Sequence, residues 1–227
     1  MEDQTIPVFV NPFVFLKADE RYSQGQEITE QDILEFVSSD GIVPEIKNFI
    51  NHYKTIEKDI PKAFAIPAED QIITKLVKPL QQAISSFMLG NFLSTISMCG
   101  FVAEMITVFL YETSNITINQ EKVSKVEKKL FGRDFEKLGQ ERRLDVLRGF
   151  SVIDEKTWEK FNEVRVYRNK YLHRFTEKHE QIAPDASEIF HKTLELFLFV
   201  FEQKIIDGKV HYGPNVVRYL KEKGIIK

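Results

Sequence analysis

From about residue 67 onward, apolar residues recur at three- and four-residue spacing, which predicts helix after helix. Ile72, Ile73, Leu76, Val77, Leu80, Ile84 and Phe87 form one such stripe, and Pro79 inside it predicts a kink. Gly90 separates this helix from a second over about 91–112, which is apolar nearly all round and is therefore expected to be buried on every side. Glu104 is its single charge between positions 91 and 111. A charged helix is expected over about 119–131, a short one near 140–148, and a long one over about 154–177 with Asp154 as its cap. Another follows over about 185–206, after a stop at Pro184. Gly208 and Gly213-Pro214 then precede a last short helix ending near Gly224.

The first 66 residues read differently. Positions 6–16, IPVFVNPFVFL, hold β-branched and aromatic residues that favour extended backbone, while Pro7 and Pro12 deny them a central place in a sheet. An edge strand, hairpin arm or strap is predicted there, then a polar loop over 17–31 and two short helices at about 30–38 and 43–58. Pro61 and Pro67 bracket a turn-rich connector, PKAFAIP. The expected fold is mainly α, a helical bundle of four to five core helices with a short extended or two-stranded N-terminal appendage. Its expected divisions are 1–66 for the appendage, 67–206 for the bundle and 207–227 for a helical tail packed on it. Strands do not alternate with helices, so a parallel-sheet nucleotide fold is not expected.

Composition sets the class. The chain has 227 residues, 43% hydrophobic and 29% charged, enough for a packed core. One cysteine, Cys99, excludes an internal disulfide framework and fits a reducing compartment. Glu2 and Asp3 stand where a signal peptide carries lysines, and the uncharged stretch 91–103 of the second helix is too short to span a bilayer. A cytoplasmic protein without a membrane partner is the expectation.

The net charge of −3 argues against a nucleic-acid partner, but its distribution does not. Residues 1–60 carry 5 basic and 12 acidic side chains, whereas residues 121–178 carry 16 and 11.

Familiar catalytic signatures are missing: there is no glycine-rich phosphate loop, no G-x-S-x-G and no H-E-x-x-H. Cys99 has no cysteine neighbour and lies in the apolar helix, so it reads as core. His52, His191 and His211 stand alone. No metal and no cofactor are expected.

One segment rises above this background, Arg165-Val166-Tyr167-Arg168-Asn169-Lys170-Tyr171-Leu172-His173. At about 100° per residue, Phe161, Val164, Tyr171, Leu172 and Phe175 share an apolar stripe, and Arg168 falls in its middle. A guanidinium on a buried line keeps its charge, so it requires a carboxylate, a backbone carbonyl or a phosphate. Glu104 is one available carboxylate, and such a pair would simply pin two helices. Asn169 and His173 lie one turn apart, whereas Arg168 and His173 are about 140° apart, so the latter two meet only if Arg168 reaches round or a second chain supplies the histidine. Arg174 and His179 share the five-residue spacing, but Arg174 points away from the stripe and no Asn follows it.

Arg168-Asn169-x-x-x-His173 resembles the signature of the HEPN superfamily (higher eukaryotes and prokaryotes nucleotide-binding). The phrase KPLQQAISSFMLGNFLSTISMCGFVAE, with Glu104 at its end, resembles the family's first helix pair, and GFSVIDEKTWEKFNEVRVYRNKYLH resembles its approach to the motif helix. The likeness covers about 67–206. It implies a metal-independent endoribonuclease that works as a homodimer through the motif helix, in a toxin–antitoxin or antiviral defence setting, with an antitoxin or effector protein as a further partner. Arg168 would bind the scissile phosphate, His173 would act as general acid or base, and Asn169 would orient a catalytic partner or the phosphate. Glu104 would be the supporting buried acid, and Arg165, Lys170 and Arg174 would contact RNA phosphates. The alternative is a non-catalytic HEPN-like module for binding RNA, nucleotides or protein and for dimerisation.

Overall fold

The computed structural model describes residues 8–10, 46–58, 60, 64–173, 180–207 and 209–226. The helix expected at 30–38, the loop before it and the far end of the motif helix, with Arg174, Phe175 and His179, lie outside these residues. Strand β1 (Val8–Val10) and strand β2 (Ala65–Pro67) pair antiparallel, with Phe9 opposite Ile66. Three of the seven residues of the expected connector therefore form a buried strand, since Ala65, Ile66 and Pro67 are all covered. Its first residue is tied to distant chain: the Ala65 N–H donates to Gln203 Oε1 at 2.9 Å, and its carbonyl accepts from the Tyr212 hydroxyl at 3.1 Å. Between the two strands lies helix α1 (Ile46–Glu57), which buries Phe49 and Ile56.

A short α-turn at Asp70–Ile72 and a π-turn at Ile73–Val77 run directly into helix α2 (Lys78–Met88). Proline lacks an N–H and crowds the carbonyl four residues back, and here the ladder widens just before Pro79 instead of breaking. Gly90 turns the chain at φ +73°, a conformation open to glycine, and Asn91 caps helix α3 (Phe92–Ser114) by accepting from the Ser94 N–H. Helix α3 packs against α2 and most of the later helices. By length and hydropathy it could cross a membrane, yet Ile96, Cys99, Val102, Ala103 and Ile106 are completely covered by protein.

A small hairpin, β3 (Thr117–Ile118) with β4 (Glu121–Lys122), leads into helix α4 (Val123–Phe131). A 3-10 turn at Phe135–Lys137 precedes helix α5 (Gln140–Gly149), and helix α6 (Glu155–His173) carries the Arg-Asn-His segment. Helix α7 (Ile182–Phe201) runs antiparallel to α6, followed by the hairpin β5 (Lys204–Ile206) and β6 (Lys209–His211) and by helix α8 (Pro214–Glu222). Two expectations at α7 need correction. Pro184 does not stop the chain but sits in the first turn, where a missing N–H costs nothing. The helix ends at Phe201, because Glu202 adopts a left-handed φ of +43°, and the residues after it pair as a strand. Helix accounts for 73% of the described residues and strands are few and short, so the fold is the mainly α bundle with a small appendage that the spacing predicts.

Candidate functional site

Helix α6 owes its start to Asp154, whose carboxylate accepts from the Thr157 N–H at 2.8 Å and is held below the usual aspartate range by the Thr157 hydroxyl and N–H. From there Phe161, Val164 and Tyr171 face the core, as the wheel requires, while Leu172 does not join them and is 36% exposed. Arg168 lies on this line between Val164 and Phe161, partly buried. Its stem crosses α3 at Gly100, where an added Cβ would stand 2.5 Å from Arg168 Cδ and 2.9 Å from Cγ. The absence of a side chain at Gly100 is what lets the two helices, and this arginine, come so close.

The guanidinium ends on Glu104, one turn further along α3, to which its NH1 donates. Its Nε and NH2 both donate to Asn169 Oδ1, at 3.4 and 3.2 Å. Three of the five guanidinium N–H groups are thus committed and two remain, on a side chain still 19% exposed. By accepting with its oxygen, Asn169 turns its NH2 away from the arginine. His173, the last described residue of α6, is exposed and makes no hydrogen bond among the described residues. The helix is regular through this segment, so Arg168 and His173 keep their separation of about 140° within one chain.

A second arginine completes the cluster. Arg143 of α5 is buried to 7% side-chain exposure, places NH2 3.6 Å from Glu104 Oε2 and donates from NH1 to the Glu104 carbonyl at 3.4 Å. Burial pulls its pKa below the ordinary arginine value, and Glu104 opposes that pull. Among the described residues its Nε finds no partner, and neither amide atom of buried Gln140, one turn earlier, finds one. One carboxylate therefore serves two guanidiniums. Sequence reasoning did not single out Arg143, although the wheel argument used for Arg168 applies equally, since Leu144 and Leu147 share its buried face.

Of the other expected phosphate contacts, Arg165 and Lys170 are engaged within the chain, and Arg174 lies outside the described residues. Arg165 reaches Glu141 at 3.2 Å and also donates to Asn162 Oδ1. Lys170 meets Asp185 at 2.9 Å, and that carboxylate holds its ammonium well above the ordinary lysine value. Asp185 also accepts from the Tyr171 hydroxyl at 2.5 Å. Cys99 is fully buried, and desolvation pushes its thiol up to about 12, which leaves no thiolate for chemistry. Among the described residues no three His, Cys, Asp or Glu side chains converge to hold a metal ion. A surface hollow of about 500 Å³, lined by His52, Phe87, Phe92, Pro184 and His191 among others, lies away from Arg168.

No family model matches the chain, and no curated protein and no solved structure matches it either.

Proposed function

We propose that this protein is a metal-independent endoribonuclease of HEPN type, acting as a homodimer whose two α6 helices face each other across the RNA. The observation that carries this reading is the Arg168 guanidinium, oriented by Glu104 and Asn169 with two N–H donors uncommitted, and an exposed His173 one turn beyond Asn169. In the proposed reaction the 2′-OH of the RNA attacks the adjacent phosphorus. His173 takes the 2′-OH proton, or protonates the departing 5′-oxygen as the P–O5′ bond breaks, with water carrying the other proton, and Arg168 stabilises charge on the phosphoryl oxygens. Because Arg168 and His173 diverge on one helix, a partner's histidine opposite each arginine supplies the geometry that one chain lacks. Binary partners such as an antitoxin would act by covering this face.

A second reading has its own support. Arg168 is four-fifths covered and ion-paired, and an Arg143–Glu104–Arg168 cluster is what a purely structural clamp between α3, α5 and α6 looks like. On that reading the protein is a non-catalytic module for binding and dimerisation.

One experiment separates the two. Purified protein in excess EDTA should cut structured and unstructured RNAs to products with cyclic phosphate ends and should sediment as a dimer at tens of micromolar. His173→Ala should lose cutting by at least about 100-fold with an unchanged melting curve. Wild type and variant equally inert across varied RNAs would establish the binding module instead.

A further inference from the structure

Carboxylates neutralise most of the described cations of α6 and α7 and the last arginine of α5. Lys160 pairs with Glu195, Lys192 with Glu163 and Glu188, Lys170 with Asp185, and Arg148 with Asp145 and Glu155. The region from β4 through the start of α5 is different. Lys122, Lys125, Lys129, Arg133 and Arg142 are all exposed, and none has a carboxylate partner among the described residues. The acids interspersed with them are mostly turned elsewhere. Glu127 accepts from the Tyr111 hydroxyl at 3.0 Å and from the Phe135 N–H at 2.6 Å, Asp134 is bound by Lys137, and Glu141 by Arg165. Glu121 and Glu136 are the only others in the stretch.

The placement also opposes what the helix itself would favour. Helix α4 has no acidic residue in its first turn, its N-cap position is Lys122 with no side-chain cap, and Lys125 follows in the same turn. Cations there face the positive end of the helix dipole, where carboxylates stabilise and lysines do not. On the wheel Lys125, Lys128 and Lys129 span about 100°, opposite buried Val123 and inward-facing Glu127. Arg133 and Arg142 follow along the chain up to α5, where the next residue, Arg143, pairs with Glu104 of the Arg168 cluster.

We infer that this strip of Lys122, Lys125, Lys129, Arg133 and Arg142 binds the phosphate backbone of RNA and leads it toward Arg168. The choice of RNA among polyanions rests on the ribonuclease reading. An anionic membrane fits less well, because a helix lying on lipid presents a free apolar face, and in α4 only Leu130 is a large exposed hydrophobe. The contacts are to backbone charge, so affinity should depend steeply on salt and little on sequence.

The test uses full-length His173→Ala protein, so that RNA is not consumed, titrated in EDTA against a fluorescein-labelled single-stranded RNA at several KCl concentrations. Changing Lys122, Lys125, Lys129 and Arg133 together to Gln should weaken binding at least about tenfold and flatten the log–log salt slope by about 3, from roughly 0.7 per lost phosphate contact. The same four positions as Arg or Lys of retained charge should bind like the parent, which guards against a merely misfolded variant. Lys54→Gln with Lys58→Gln, exposed cations on and just after α1, should change nothing. Equal affinity and slope in the Gln variant, no RNA binding by the parent, or transfer of the effect to phosphatidylserine vesicles would each overturn the inference. Strip-dependent binding by a wild type that does not cut would instead retire the nuclease reading and leave the strip standing. Cutting by a wild type whose Gln variant binds equally well would do the reverse.

Discussion

At the scale of single residues, the candidate site depends as much on an absent side chain as on those present. Gly100 is helical and has no need of glycine's backbone freedom; what it provides is room for Arg168. A methyl group there would meet Arg168 Cδ and Cγ, which can swing, and also its Cβ at 3.3 Å, which cannot move without shifting α6. Gly100→Ala is therefore expected to cost about 1–3 kcal/mol by overpacking, against a gain of under about 1 kcal/mol from helix propensity. Urea denaturation measures the balance. A stability equal to or above wild type would mean that Arg168 does not lie across Gly100 in solution. The same contact explains why Glu104 is reachable: the stem is held flat along α3, so the guanidinium arrives one turn on, where Glu104 already has Arg143 beside it.

At the scale of elements, α6 is held by its cap at one end and by a ladder of ion pairs to α7 along its length. Asp154 lies outside the helix and is exposed, and its folded pKa is depressed by the hydrogen bonds it accepts from Thr157. A carboxyl with a lowered folded pKa stabilises the fold above its unfolded value of about 3.9, and that contribution fades as pH falls below it. Asp154→Ala should thus lower Tm by a few degrees at pH 7, with the gap to wild type closing toward pH 2–3 in thermal melts followed by circular dichroism. A gap that persists unchanged at low pH would mean that the cap acts through something other than its charge. Much at this scale was legible in the sequence. The helical pattern places α3, α5 and the start of α6 within a few residues; α2 and α6 each show one apolar stripe, whereas α3 is apolar nearly all round. The end of α7 was not legible: Glu202 and Asp207 take left-handed backbone at φ +43° and +50°, which their residue types do not announce. Nor was β2, whose strand character comes from a partner more than fifty residues away. Of the cluster, Arg168 and Glu104 could be named from periodicity, since each is a charge on an apolar line. Their joining to Arg143 required knowing that α5 crosses α3 at Glu104, which no local pattern carries.

At the scale of the whole molecule, the last helix is part of the same core as the bundle. Val216, Tyr219 and Leu220 of α8 are buried, Tyr219 packs edge-on against Phe109 at 5.2 Å, and Arg218 donates to the Thr113 carbonyl at the end of α3. The α8 end of the molecule thus closes the C-terminal half of α3, as α1 and α2 close its beginning. Burying three such side chains contributes roughly 5 kcal/mol, on the order of the whole stability of a domain. Leu220→Ala, at a fully buried position, should therefore cost about 2–5 kcal/mol and shift a single cooperative urea transition without splitting it. If 207–227 were instead a tail resting on an independently stable bundle, the main transition would stay in place and a separate low-denaturant step would appear. The prediction also bears on the functional proposals, because α8 anchors the end of α3 from which the β3–β4 hairpin and α4 depart. Loosening that anchor while the Arg168 end of α3 stays packed should weaken RNA binding through the α4 strip more than it disturbs the Glu104–Arg168 pair. Binding and stability measured on the same Leu220→Ala protein, at a temperature where it remains folded, read the two effects apart.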